Sequence, residues 1–76
     1  MDDTTTDGRA EDTASYANGR VKYRGWRLDG EMHGDWTWYR TDGSLMRTGA
    51  FDRGRQIGTW TTYDRDGRVV KETTFE

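Results

Sequence analysis

The sequence repeats itself every 24 residues, and that period constrains the fold more than any other feature. Residues 25–45 align without gaps on residues 49–69, with identities at Gly25/Gly49, Gly30/Gly54, Gly34/Gly58, Trp36/Trp60, Thr37/Thr61, Tyr39/Tyr63, Asp42/Asp66 and Gly43/Gly67. Eight identities in 21 positions, most of them glycine or aromatic, lie well outside chance. Leu45 and Val69 agree in type, and Phe51 matches Phe75. A fragment of an earlier copy, Asn18-Gly19-Arg20-Val21, aligns with Asp42-Gly43-Ser44-Leu45. The chain thus holds two full units and part of a third.

Each unit reads as a pair of strands. Asp35–Arg40 and Thr59–Asp64 are rich in aromatic and β-branched residues, which suit a pleated surface. They run into Thr41-Asp42-Gly43 and Arg65-Asp66-Gly67, and Asp-Gly is a strong hairpin signal. Ser44–Asp52 and Arg68–Phe75 read as the returning strands, and Arg20–Leu28 as a similar strand after Asn18-Gly19. Asp29–Gly34 and Arg53–Gly58 read as longer connections. Ten glycines supply turns, and the absence of proline leaves every backbone N–H able to pair. Glycine interrupts every helical period. The expected fold is all-β: a small antiparallel meander of about five strands built from hairpin repeats.

With 76 residues the chain makes one small domain at most. Its 30% apolar and 34% charged content would point to disorder if spread evenly. It is not spread evenly. Residues 1–19 carry a local charge of −4, whereas residues 20–76 carry +2 together with all four Trp and both Phe. Residues 1–15 therefore read as a disordered acidic tail and residues 16–76 as the β-repeat domain. The tail has no apolar centre of the signal-peptide kind, and no apolar run approaches the ~20 residues of a membrane span, so a cytoplasmic protein is expected.

The pattern G-x-x-x-G-x-W-x-x-Y-x-x-x-G-x-hydrophobic, at a spacing of 23–24 residues, resembles the MORN repeat, and in particular the bacterial variant of the YwqK-type antitoxin family. Gly30, Gly34, Trp36, Tyr39 and Gly43 carry the pattern in one unit, and Gly54, Gly58, Trp60, Tyr63 and Gly67 in the next. The likeness covers about residues 18–76. It implies a β-hairpin repeat fold and an antitoxin or immunity-type role. The matched residues are those that build the sheet.

Candidate contact residues are those that depart from the repeat. Trp38 has Thr62 as its equivalent and Trp26 has Ala50, so both stand out as partner contacts, as Trp does at interface hot spots. Lys22 and Arg24 on the same strand are the basic candidates, placed on one face by alternation unless Gly25 brings a bulge. A charge of +2 over residues 20–76 is small for a nucleic-acid or anionic-lipid surface, so neither is the expected partner. The absence of cysteine and the lone His33 argue against a zinc site, and no cofactor motif is present. No set of side chains fits paired-carboxylate or nucleophilic catalysis.

The expected function is therefore a non-catalytic protein-interaction module that covers a partner stoichiometrically, through a sheet face or an edge strand. Open edges also make a homo-oligomer an expected arrangement. Two alternatives stand beside it. Residues 34–49 also resemble choline-binding repeats of cell-wall proteins, with a Trp-Tyr cluster followed by Gly-x-Met, and MORN proteins have been linked to phospholipids.

Overall fold

The computed structural model describes residues 8–76. Its strands are β1 (Arg9–Ser15), β2 (Val21–Leu28), β3 (Glu31–Met32), β4 (Gly34–Tyr39), β5 (Leu45–Asp52), β6 (Arg55–Tyr63) and β7 (Val69–Phe75). They form one antiparallel sheet in the order β1-β2-β4-β5-β6-β7, with the two-residue β3 also paired to β2. The described residues contain no helix, and the molecule is a thin slab of about 39 × 35 × 16 Å.

The turns at one end of the slab share one hydrogen-bond pattern at a 24-residue spacing. Gly19, Gly43 and Gly67 donate their N–H groups to the carbonyls of Tyr16, Arg40 and Asp64 at 2.9, 2.9 and 3.0 Å. Those same three residues donate in turn to the carbonyls of Arg20, Ser44 and Arg68. Each of these glycines has φ near +90°, which closes a three-residue hairpin loop. Each hairpin also carries a register shift shortly beyond its turn, and these too lie 24 residues apart, at Lys22, Met46 and Val70. The turns are stitched to one another. Tyr16 Oη donates to the Tyr39 carbonyl at 2.7 Å, Asn18 Nδ2 to the Thr41 carbonyl at 2.8 Å, and Arg40 Nη2 to the Tyr63 carbonyl.

The other end differs from the sequence reading. Asp29–Gly34 and Arg53–Gly58 are not long connections. The chain reverses in two residues, Asp29-Gly30 and Arg53-Gly54, each pair with positive φ at both positions, and the next strand begins at once. Leu28 then pairs with Glu31, and Asp52 with Arg55. The later glycines have φ of +88° at Gly34, which opens β4, and +71° at Gly58, inside β6, and at each the register with the preceding strand shifts.

The boundary of the tail also moves. Residues 9–15, expected outside the sheet, form β1 and pair with β2 from Arg9↔Leu28 to Ser15↔Val21. Their charges made them look solvated, but those charges have partners. Arg27 Nε donates to Asp12 Oδ2 at 2.7 Å, Arg24 lies 3.8 Å from Glu11, and the Arg9 guanidinium sits 4.9 Å over the Trp26 ring. The expectation of disorder for residues 1–7 falls outside the described residues.

Candidate functional site

Alternation divides the sheet into two unlike faces. One carries Tyr23, Trp36, Trp38, Phe51, Trp60 and Phe75 in an unbroken aromatic row, with ring centroids 5.1–6.5 Å apart. Trp36 is 1% exposed and Trp60 is 7% exposed, which makes these two residues the core. Both indole N–H groups are used, Trp36 Nε1 on the Trp26 carbonyl at 3.0 Å and Trp60 Nε1 on the Ile57 carbonyl at 3.2 Å. The other face carries Arg24, Trp26, Thr37, Thr48 and Thr61.

The core is possible because each buried indole lies over a glycine of the neighbouring strand. A Cβ on Gly25 would stand 2.0 Å from the Trp36 ring, and one on Gly49 would stand 2.2 Å from the Trp60 ring. Each indole thus occupies a seat made by three alternate residues of one strand. Trp36 takes Tyr23, Gly25 and Arg27 on β2, and Trp60 takes Arg47, Gly49 and Phe51 on β5. The corresponding residues of β7 are Lys71, Thr73 and Phe75; no further strand among the described residues brings an indole onto them, and only the edge-on contact of Phe75 with Trp60, at 6.2 Å, reaches this seat from β6.

At that third position the surface forms a hollow of about 250 Å³, lined by Arg47, Gln56, Trp60, Thr62, Lys71, Thr73 and Phe75. Thr62 stands opposite Arg47 on one side and Lys71 on the other, so a hydroxyl is flanked by two cations. The Arg47 guanidinium lies over the Trp38 and Trp60 rings at 5.3 and 5.9 Å. Neither Arg47 nor Lys71 has a carboxylate partner among the described residues. Along the rim runs β7, paired among the described residues on one side only and exposed for most of its length, with Val69 53% and Val70 60% exposed. Two aromatic rings, Trp60 and Phe75, beside an unneutralised cationic rim favour an acidic or polar-aromatic group.

The sequence-derived contact residues do not form one site. Arg24 and Trp26 share a face, but Arg24 is drawn to Glu11, and the half-buried Trp26 is covered by Arg9. Lys22 sits at the register shift of β2, with its ammonium 5.8 Å over the Tyr16 ring. Trp38 lies on the opposite face, wedged between Trp36 and Trp60 at 6.0 and 5.4 Å. His33 is engaged at the tight turn Arg53-Gly54. Its Nδ1 accepts from the Arg53 N–H at 3.1 Å, and it lies 3.8 Å from Asp52. Among the described residues no three His, Cys, Asp or Glu side chains gather as they would around a metal ion.

The residues that sequence reading missed are Thr62, Lys71 and Thr73. For two of them the signal was present as gaps in the repeat, Thr62 where Trp38 stands and Thr73 where Gly25 and Gly49 stand, whereas Lys71 matches the cation Arg47 and gave none. No helix among the described residues is long and apolar enough to cross a membrane. No protein-family model, no curated protein and no solved structure matches the chain.

Proposed function

We propose that this protein is a non-catalytic protein-interaction module that receives an extended segment of a partner along β7, with a partner side chain in the adjoining hollow. The observation that carries the reading is the coincidence of an open strand edge with a cationic, aromatic-floored hollow beside it. Edge addition supplies main-chain hydrogen bonds, and the hollow supplies selectivity for one side chain in two along the added strand. Such binding is stoichiometric: it acts by covering the partner's working surface. The MORN-type repeat pattern supports an antitoxin or immunity-type role of the same kind.

Choline binding is disfavoured by charge. A quaternary ammonium needs an aromatic cage, and here Arg47 and Lys71 rim the aromatic floor. The reading is tested by calorimetric titration of the full chain with proteins encoded beside it. The expected result is saturation near one-to-one with a protein, weakened by Lys71→Glu while the circular dichroism spectrum stays unchanged. Saturable binding of choline or a glycan, with no protein partner, would overturn it.

A further inference from the structure

Strand β1 occupies the place in the 24-residue period that β4 and β6 occupy in later units. Ala10, Asp12, Thr13, Ala14 and Gly19 fall at the positions of Gly34, Trp36, Thr37, Trp38 and Gly43. Threonine recurs at all three units, in Thr13, Thr37 and Thr61, but the two tryptophan positions of β1 hold Asp12 and Ala14. At the far end of the sheet, β7 offers a seat that is the counterpart change. Its floor is Thr73 in place of glycine, and its rim residue is Lys71. An indole over Thr73 would meet the Cβ that Gly25 and Gly49 avoid. A carboxylate would not.

We infer that the partner of β7 is β1 of a second copy of this chain, added antiparallel so that the sheet continues from one molecule into the next. This rests on the proposal that β7 receives a partner strand, and places a second copy there until another protein competes for the same edge. The register is dictated by the molecule itself. Strand β6 meets β5 through Arg47↔Thr62, Thr48↔Thr61 and Ala50↔Ile57. Moved on by one 24-residue period, the same pairing sets Lys71 opposite Ala14, Glu72 opposite Thr13 and Thr74 opposite Arg9 of the second copy.

Asp12 of the second copy then enters the seat of Lys71, Thr73 and Phe75, where Lys71 has no carboxylate partner among the described residues. Within its own chain Asp12 uses Oδ2 on Arg27, which leaves Oδ1 for an incoming cation. On the other face, Arg9 of the second copy lies diagonal to Glu72 and Glu76, a favourable cross-strand placement. Small Ala14 opposite Lys71 leaves the lysine room to reach Asp12. The contact is heterologous, because β1 of one copy meets β7 of the next, so growth is head-to-tail.

Sedimentation velocity of the full chain over a concentration series tests this. The weight-average sedimentation coefficient is expected to rise with concentration, and to rise less at high salt as the Asp12–Lys71 pairing is screened. Lys71→Glu, checked for an unchanged melting temperature, is expected to weaken self-association by about ten-fold, since it replaces an attractive cross-strand pair by a repulsive one. The variant keeps its own β1, so added to the unaltered chain it should cap β7 edges and shorten the oligomers. A chain that stays monomeric at all concentrations, or a closed dimer indifferent to Lys71→Glu, would overturn the inference. If the chain is monomeric yet binds a different protein in a Lys71-dependent manner, self-pairing fails while the edge-binding reading stands. Loss of both would remove both.

Discussion

At the residue scale, the structure turns on what is left out at two positions. Gly25 and Gly49 carry no side chain because an indole lies where the Cβ would be. Their φ values are ordinary for a strand, so the requirement is space, not backbone freedom. Gly25→Ala and Gly49→Ala are each expected to lower unfolding free energy in urea by ~1–3 kcal/mol, as overpacking does. An unchanged midpoint for both would mean that the indoles are not seated there. A second prediction concerns Asp42. The Ser44 hydroxyl and then the Ser44 N–H hold its carboxyl below the ordinary value, with a smaller pull from the guanidinium of Arg65, 3.1 Å away. A carboxyl whose folded pKa is depressed stabilises the fold above its ordinary pKa and loses that effect as pH falls through the folded value. Thermal melts between neutral and strongly acidic pH should therefore show a shallower acid decline for Asp42→Ala than for the unaltered protein.

At the scale of elements, the hairpins explain both what the sequence disclosed and what it hid. The turns at Asn18-Gly19, Asp42-Gly43 and Asp66-Gly67 were legible because their residues suit a fixed backbone geometry, whereas Asp29-Gly30, the same kind of dipeptide, was hidden inside a longer glycine-bounded stretch. Strands β2, β4, β5 and β7 fall within a residue or so of their expected bounds. Arg53-Gly54 was not legible as a tight turn because arginine is a poor choice for a position with φ of +50°. Arg53→Asn should stabilise the hairpin by about 1 kcal/mol, since asparagine tolerates the left-handed region and keeps the N–H that donates to His33. A lower melting temperature for that variant would show that the arginine side chain itself is needed. β1 stayed hidden for another reason: a strand whose charges are satisfied by cross-strand partners has the composition of a tail. The candidate site was legible only in outline. Trp38 stood out as an aromatic outside the repeat, yet it serves the packed row, whereas the hollow forms at its missing counterpart, Thr62.

At the scale of the whole molecule, a single sheet has no second layer to cover its apolar face, and the aromatic row must be shielded from within. The long side chains beside it provide part of that cover: Arg27 lies over Trp36, and Arg47 over Trp38 and Trp60. Arg27 is held in place by Asp12, so β1 shields the row at one end without contributing an aromatic residue. Removing residues 1–15 would strip β2 of its seven pairs with β1, take Asp12 from Arg27 and uncover Trp26. At ~0.2–1 kcal/mol for each pair, the loss should be on the order of 2–5 kcal/mol, a large fraction of what so small a domain possesses. The uncovered β2 edge would also present unpaired N–H and C=O groups beside apolar Leu28, which invites association of the wrong kind. Thermal denaturation with light scattering should show a lower transition and earlier aggregation for the truncated chain. Asp12→Ala, which keeps the strand and within its own chain loses the contact to Arg27, should fall between the two at concentrations where the chain is monomeric. Equal melting temperatures for full-length and truncated protein would mean that β1 is an ornament on the sheet and that the aromatic face is stable without its polar end.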